Sequence, residues 1–308
     1  MHLMPNKSDS ELLFALADFR VLTVSQIAAI SNGNIRVVRR RLGVLEDASL
    51  VRTMPVSLGR GRGRPERVVS LATGGIDTLR HEGILSRKVP LDHIAPIEPR
   101  LLGHQLLVNW FRIRLRHIPR SHSRMAVEFL SPTSPLTPRR EDGQPIVCDS
   151  VSVGPGARTP TDFTPDGVFS ITDRKQSKTL LFFLEADMGT ETVASPSGRG
   201  GDFRRKIATY QAYFRNGHYK RYEKIWRCEL RGFRLLVVTA TQARLTALCR
   251  LVHAVPPSDF VWLTGQDWLL DRGLASPIWA RGGRLNSPPE SILGTAAAAA
   301  APITGSQS

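Results

Sequence analysis

The sequence predicts a mixed chain, a small α+β domain over residues 8–85 followed by an α/β domain over residues 100–268. Three observations carry that prediction. Two capping-box signatures and an amphipathic arginine-bearing segment precede a pair of short strands near the N-terminus; an apolar strand ends in acids mid-chain; and strand, helix and strand follow at crossover spacing between Phe233 and Thr264.

In the first domain, Ser8 with Glu11 and Thr23 with Gln26 fit the pattern of a hydroxyl residue followed three places later by Glu or Gln, and each marks a helix start. The first helix turns Leu12, Leu13, Leu16 and Phe19 inward, and the second turns Val24, Ile27, Ala28 and Ile30 inward. Asn32 and Gly33 form a turn, and Asn34 caps a third helix whose apolar stripe is Ile35, Val38, Leu42 and Leu45. Arg36, Arg39, Arg40 and Arg41 occupy its remaining surface. The helix fades near Ala48, and alternating runs at Leu50–Val56 and Arg67–Leu71 read as two strands around the tip GRGRGRPE, Gly59–Glu66. Three helices and a hairpin with Arg60, Arg62 and Arg64 at its tip make a winged helix-turn-helix. Recognition helices enter the major groove by their first turns, so Arg36, Arg39 and Arg40, with Arg41 beside them, are the expected DNA contacts, and the tip arginines are expected on phosphates or the minor groove. Positions 36–67 hold nine arginines against Glu46, Asp47 and Glu66. A solvated basic face with no nucleic-acid role is the competing account.

Composition bounds the alternatives. The 308 residues include 42 basic and 27 acidic ones, a net charge of +15, which favours an anionic partner such as double-stranded DNA. Thirty-five of the basic residues are arginine, the better group for bidentate phosphate and guanine contacts. Cys148, Cys228 and Cys249 are isolated and are expected as reduced thiols. No apolar run approaches the roughly 20 residues that span a bilayer, and the N-terminus lacks a signal-peptide core, so a cytoplasmic, nucleoid- or plasmid-associated protein is expected.

Further along, Thr73–Leu85 reads as a helix closing the first domain, and Ser86–Pro99 as a linker. Arg100–Ile118 reads as a long amphipathic helix, Val127–Leu130 as a strand, Ser131–Gly143 as an exposed loop and Pro145–Val153 as another strand. Strands at Asp166–Thr172 and Thr179–Asp187 flank a polar turn; if Thr172 pairs with Thr179, Asp166 faces Glu185, and Asp187 shares a face with Glu185. Three clustered carboxylates want a cation. Asp166 and Glu185 could hold Mg2+ or Mn2+ with water for attack on a phosphodiester, or the acids could be solvated and paired with Arg204 and Arg205. Tyr210 steps with Ile207 and Phe214 along the next helix, which favours core packing over a nucleophilic role. The run His218–Arg227 mixes bases and rings and reads either as a second nucleic-acid surface or as an ordinary loop. Phe233–Thr239, Thr241–Val255 and Phe260–Thr264 complete the sheet and its crossover helix, and residues 269–308 read as a disordered low-complexity tail. ATP-driven unwinding lacks a GxxxxGK[ST] loop, and a tyrosine relaxase lacks its His-x-His pair.

Pro165–Asp166 followed by Glu185 in an ExD pattern looks like the core of the PD-(D/E)xK nuclease fold, a restriction-endonuclease-like mixed sheet. With the N-terminal helices, HQLLVNWFRIRL, LEADMGTET and KIATYQAYF, the chain resembles the replication-relaxation family of plasmids and integrated mobile elements. The resemblance implies a DNA-binding accessory protein in replication, relaxation, mobilisation or maintenance, with relaxase or replication proteins as partners. The alternatives are a metal-dependent DNA endonuclease using Asp166, Glu185 and Asp187, and a winged-helix transcriptional regulator or protein-binding adaptor. Asp187 stands where the nuclease pattern has lysine; Lys206, on the following helix, is the expected substitute catalytic cation. Winged helices often dimerise on palindromic sites, so a homodimer is an open arrangement, although no coiled-coil seam is present.

Overall fold

A computed structural model describes residues 6–56, 66–94, 97–154, 159–189, 193 and 202–294. The chain forms two compact units, Met1–Ile113 with Ser131–Ile146, and Arg114–Leu130 with Val147–Ser308.

The first unit begins with α1 (Lys7–Phe19), β1 (Leu22–Thr23), α2 (Val24–Ser31) and α3 (Ile35–Asp47). The cap of α1 lies two residues ahead of the expected Ser8–Glu11 pair: the Asn6 side chain accepts from the Asp9 amide at 3.0 Å, and the Asp9 carboxylate accepts from the Asn6 amide at 2.9 Å. Thr23 and Gln26 form the expected reciprocal box at 3.1 and 3.0 Å. Asn32 ends α2 in the left-handed region (φ 52), and Asn34 caps α3 by accepting from the Arg36 amide at 2.8 Å. Val38, Leu42 and Leu45 are buried, but Ile35 is 40% exposed. Helical side chains lean toward the N-terminus, and ahead of Ile35 stands only the turn, so the stripe is one residue shorter than its spacing suggests.

β2 (Val51–Val56) and β3 (Glu66–Leu71) pair antiparallel with Val51 opposite Leu71, and β1 adds to β3, giving the order β1-β3-β2. The tip arginines Arg60, Arg62 and Arg64 lie outside the described residues. α4 (Thr73–His81) follows, then α5 (Pro99–Ser121), within which the division between units falls.

The early part of α5 therefore belongs to the first unit and its later part to the second, where the sequence leaves open a helix of the second domain or one shared by both. The cause is polar as much as apolar. Asn109 Nδ2 donates to the Val21 carbonyl at 2.6 Å, and Gln26 Nε2 to the Leu106 carbonyl at 2.8 Å. Arg112 donates to the Asp18 carboxylate at 2.7 Å and lies over the Phe19 ring at 4.0 Å. The 131–143 segment, expected to be exposed, also joins this unit: Ser131 and Ser134 are buried, and Ser134 Oγ donates to Asp18 at 2.7 Å.

In the second unit, β4 (Met125–Leu130), β7 (Gly167–Asp173), β8 (Lys178–Asp187), β9 (Phe233–Thr239), β10 (Val261–Gly265) and β11 (Ala280–Arg281) form one mixed sheet in the order β11-β10-β9-β8-β7-β4. β5 (Asp149–Val151) and β6 (Thr161–Phe163) form a separate pair. β8, β9 and β10 run parallel, joined by the crossover helices α6 (Phe203–Arg215) and α8 (Gln242–His253). α7 (Tyr222–Trp226) follows α6, and α9 (Gln266–Arg272) follows β10. The expected hairpin register holds, with Thr172 opposite Thr179 and their hydroxyls 3.0 Å apart.

The expected disorder from 269 onward fails as far as Gly294. Ile278, Trp279 and Ile292 are fully buried, and the Trp279 indole donates to the Leu274 carbonyl at 3.1 Å. These anchors are scattered among Gly, Pro and Arg, so they produce no helical or strand period.

Asp18 and Arg112 form a buried pair whose partners sit on separate elements. Asp18→Ala leaves the guanidinium without its counter-charge and is expected to destabilise the protein by about 3 kcal/mol in urea unfolding, whereas a surface change stays within roughly 0.5 kcal/mol. A loss of the smaller size would show that Arg112 finds another acceptor.

Candidate nucleic-acid interface and acidic site

α3 presents two unlike faces. At about 100° per residue, Arg36, Arg39 and Arg40 cluster around the direction of Gly43, opposite the buried Val38, Leu42 and Leu45. A side chain at Gly43 would meet nothing within 4 Å, so the centre of the basic face is open. All three arginines are exposed, and among the described residues none has an ion-pair partner.

Arg41 does not belong with them. It falls beside the apolar stripe, where it pairs with both carboxylate oxygens of Asp9, a residue 1% exposed. Burial alone would push the Asp9 carboxyl up, but its bonds from Arg41 and the Asn6 amide outweigh this and hold it below the usual carboxylate range. The expected DNA contact at Arg41 is thus a structural clamp between α1 and α3. The far end of α3 is fixed by Glu46, which accepts from the Thr53 amide at 3.0 Å, while Arg67 donates to the Thr53 hydroxyl at 2.7 Å.

In the second unit, Asp166, Glu185 and Asp187 reach the same end of the sheet, where their roles diverge. Asp166 Oδ2 accepts from the Ala186 amide at 2.7 Å, so it braces β8 from just ahead of β7. Glu185, 6% exposed, faces α6: Tyr210 donates to Oε1 at 2.6 Å and Lys206 to Oε2 at 2.9 Å. Asp187 is gripped by Arg244 of α8 through Nε at 2.7 Å and Nη2 at 2.8 Å, and by the Gly189 amide at 2.8 Å. A cavity of about 240 Å3 beside Glu185 is lined by Thr161, Phe163, Asp202, Arg205 and Thr209 together with Lys206 and Tyr210.

Lys206 thus reaches Glu185 from α6, a contact the sequence leaves open, while Arg204 and Arg205 do not take that place. Arg244 is not legible as a partner in the sequence; its only signal is a cation in the first turn after a strand, at the edge where the acids end. Burial pushes the Glu185 carboxyl up; attraction to Lys206 opposes this, repulsion from Asp166 adds to it, and the result is a value of about 7. Burial and then the Glu185 charge drive the Tyr210 hydroxyl well above its ordinary value, so it stays protonated as the donor to Glu185 Oε1.

The donor set fits a divalent ion poorly. Both Glu185 oxygens already accept from protein donors, Asp187 is bound in a bidentate pair, and among the described residues no three acid, His or Cys side chains converge.

A family model described as replication-relaxation matches residues 13–227. The chain belongs to the replication-relaxation family. The match takes in the α3 face, all three acids, Lys206 and Tyr210, and ends at Arg227, ahead of Arg244. Neither a curated protein nor a solved structure matches this family member. No described helix is long and apolar enough to cross a membrane.

A second buried knot lies nearby in this family member. Asp149 accepts from Tyr213 at 2.9 Å, Tyr222 at 3.1 Å and Arg221 at 2.8 Å; of the rings in the His218–Arg227 run that the sequence offers to bases, Tyr219 and Tyr222 are buried in the core and Trp226 is half-buried.

Because the folded Glu185 carboxyl ionises near pH 7 and an unfolded one near 4.5, the stability its neutral form provides is complete below about pH 4.5 and is lost as pH rises to about 7. Glu185→Gln keeps a neutral group there. Relative to wild type, this variant is expected to gain on the order of 3 kcal/mol in urea unfolding between pH 4.5 and pH 8. An unchanged difference across that range would mean that Lys206 keeps Glu185 ionised throughout.

Proposed function

We propose that this protein is a DNA-binding accessory factor of a plasmid or integrated mobile element, in which α3 is the recognition helix of a winged helix-turn-helix and the segment between β2 and β3 is its wing. The observation behind this reading is the α3 face: three exposed arginines, without ion-pair partners among the described residues, around an open centre, on a helix held at its middle by Asp9–Arg41 and at its C-terminal end by Glu46–Thr53–Arg67. Arg36, Arg39 and Arg40 would meet base edges or adjacent phosphates of double-stranded DNA, and Arg60, Arg62 and Arg64 would add wing contacts. Family membership supports a role in replication or relaxation.

Metal-dependent cleavage with Mg2+ or Mn2+ is the second reading, favoured by Lys206, which supplies from α6 a cation that the nuclease pattern otherwise takes from the position of Asp187. The commitments of Glu185 and Asp187 weigh against it, because two acids facing protein donors leave few oxygens to a metal. Binding without cutting is therefore the reading adopted.

Replacing Arg36, Arg39 and Arg40 together with alanine is expected to weaken duplex DNA binding by roughly 100-fold or more, with a shallower salt dependence, in fluorescence anisotropy over a series of salt concentrations. Unchanged affinity across the series would remove α3 from the interface.

Supercoiled plasmid incubated with the protein and Mg2+ or Mn2+ is expected to shift on a gel and remain intact. Nicked or linear product from wild type, absent with Asp166→Ala and Glu185→Ala, would make the second unit a nuclease instead.

A further inference from the structure

The opposite end of β8 has a different character. The starts of β8, β9 and β10, the β7–β8 turn and the segment after α7 line a groove of about 1120 Å3 within the second unit. Lys178 at this end and Glu185 at the other are seven residues apart on one strand, about 23 Å at the rise of extended chain, so the groove is separate from the acidic site.

Six cations line it, Arg174, Lys178, Arg227, Arg231, Arg234 and Arg281, against three acids, Glu128, Glu229 and Asp259. Two of the acids are engaged: Glu229 lies 3.6 Å from Arg231, and Asp259 pairs with Arg284 and, at 3.7 Å, with Arg281. Arg174, Lys178 and Arg227 are exposed, and among the described residues they have no carboxylate partner. Arg234 and Arg281 both lie over Trp262, at 4.4 and 5.9 Å. Burial and then the charge of Arg281 pull Arg234 below the ordinary guanidinium value, a strain that an anion in the groove would relieve.

Aromatic rings interleave with these charges. Phe214 is 37% exposed and packs against Phe260, while the half-buried Trp226 stacks on the core ring of Tyr222 at 5.4 Å. Rings backed by the core and fronting a cationic groove suit unpaired bases, with the backbone held by the cations; bases stacked inside a duplex could not reach them.

We infer that this groove binds an unpaired nucleic-acid strand, its phosphates on Arg174, Lys178 and Arg227 and its bases against Trp226 and Phe214. The inference stands apart from the α3 reading, because it uses other residues and another form of nucleic acid.

The test titrates the full chain with dT20 and with rU20 and reads tryptophan fluorescence over several salt concentrations, beside duplex binding by anisotropy. Wild type is expected to be quenched by one or both oligonucleotides, and the pair of probes tells DNA from RNA. Arg174→Glu/Lys178→Glu/Arg227→Glu, all at exposed positions, is expected to bind the oligonucleotide at least about tenfold more weakly, with a salt slope shallower by about 2. Trp226→Leu is expected to lose most of the quenching and several-fold in affinity by anisotropy with a labelled oligonucleotide. The α3 triple alanine variant is expected to keep oligonucleotide binding while losing duplex binding. No oligonucleotide binding by wild type at low salt, wild-type affinity in the folded groove variant, or loss of oligonucleotide binding in the α3 variant alone would each overturn the inference.

Discussion

Strand β8 imposes the constraint around which the second unit is arranged. It is paired on both edges, by β7 and β9, and it stays buried from Leu181 to its last residue. That burial is easy for Leu181–Leu184, but it draws Glu185 and Asp187 out of water with them, and an isolated buried carboxylate is too costly to keep. Each acid must be met by donors from the helix layer. α6 meets Glu185 with Lys206 and, one turn on, Tyr210; α8 meets Asp187 with Arg244. The caps set these positions, because Asp202 and Thr241 start the two helices and so fix which turn faces which acid. The acidic end of the sheet thereby determines where both crossover helices sit.

The same need explains the rest of the interior polar pairs. Asp9 takes Arg41, Asp18 takes Arg112, and Asp149 takes Arg221 with two tyrosines. In each case a carboxylate buried by its element recruits a cation from another, so the pair fixes a geometry between elements that apolar packing alone leaves looser. Such pairs add little net stability compared with apolar replacements, yet breaking one is costly, which makes them determinants of arrangement more than of strength.

Local signals in the sequence were sufficient for most elements. The Thr23–Gln26 box, the Asn34 cap, both strands of the first hairpin and the Thr172–Thr179 register all follow from residues within a few positions of one another. Partners far apart in the chain were not legible. Nothing near Arg41 announces Asp9, nothing near Asp187 announces Arg244, and Ser134 looks like any serine in a proline-rich loop until Asp18 is beside it. One distinction was available: the helical angle sets Arg41 next to Leu45 and the other three arginines opposite, so periodicity applied to the charges as well as to the apolar residues separates clamp from surface. The unit boundary inside α5 was hidden for a related reason, since Gln105, Asn109 and Arg112 read as a polar face while all three are buried.

Each interior pair contributes one positive and one negative charge and cancels, so none of the net +15 resides in them. The surplus has to lie on groups without such partners. Among the described residues, the exposed arginines of α3 and Arg174, Lys178 and Arg227 of the groove at the start of β8 are of this kind. Those cations keep their full attraction for a polyanion, because no internal acid has to be displaced before a phosphate can bind. The acidic end is the reverse case: a phosphate approaching Lys206 or Arg244 would have to compete with a buried carboxylate already hydrogen-bonded at 2.7–2.9 Å. The distribution of ion pairs thus leaves the described cations of α3 and of the groove more open to an anion than those at the acidic end of the sheet.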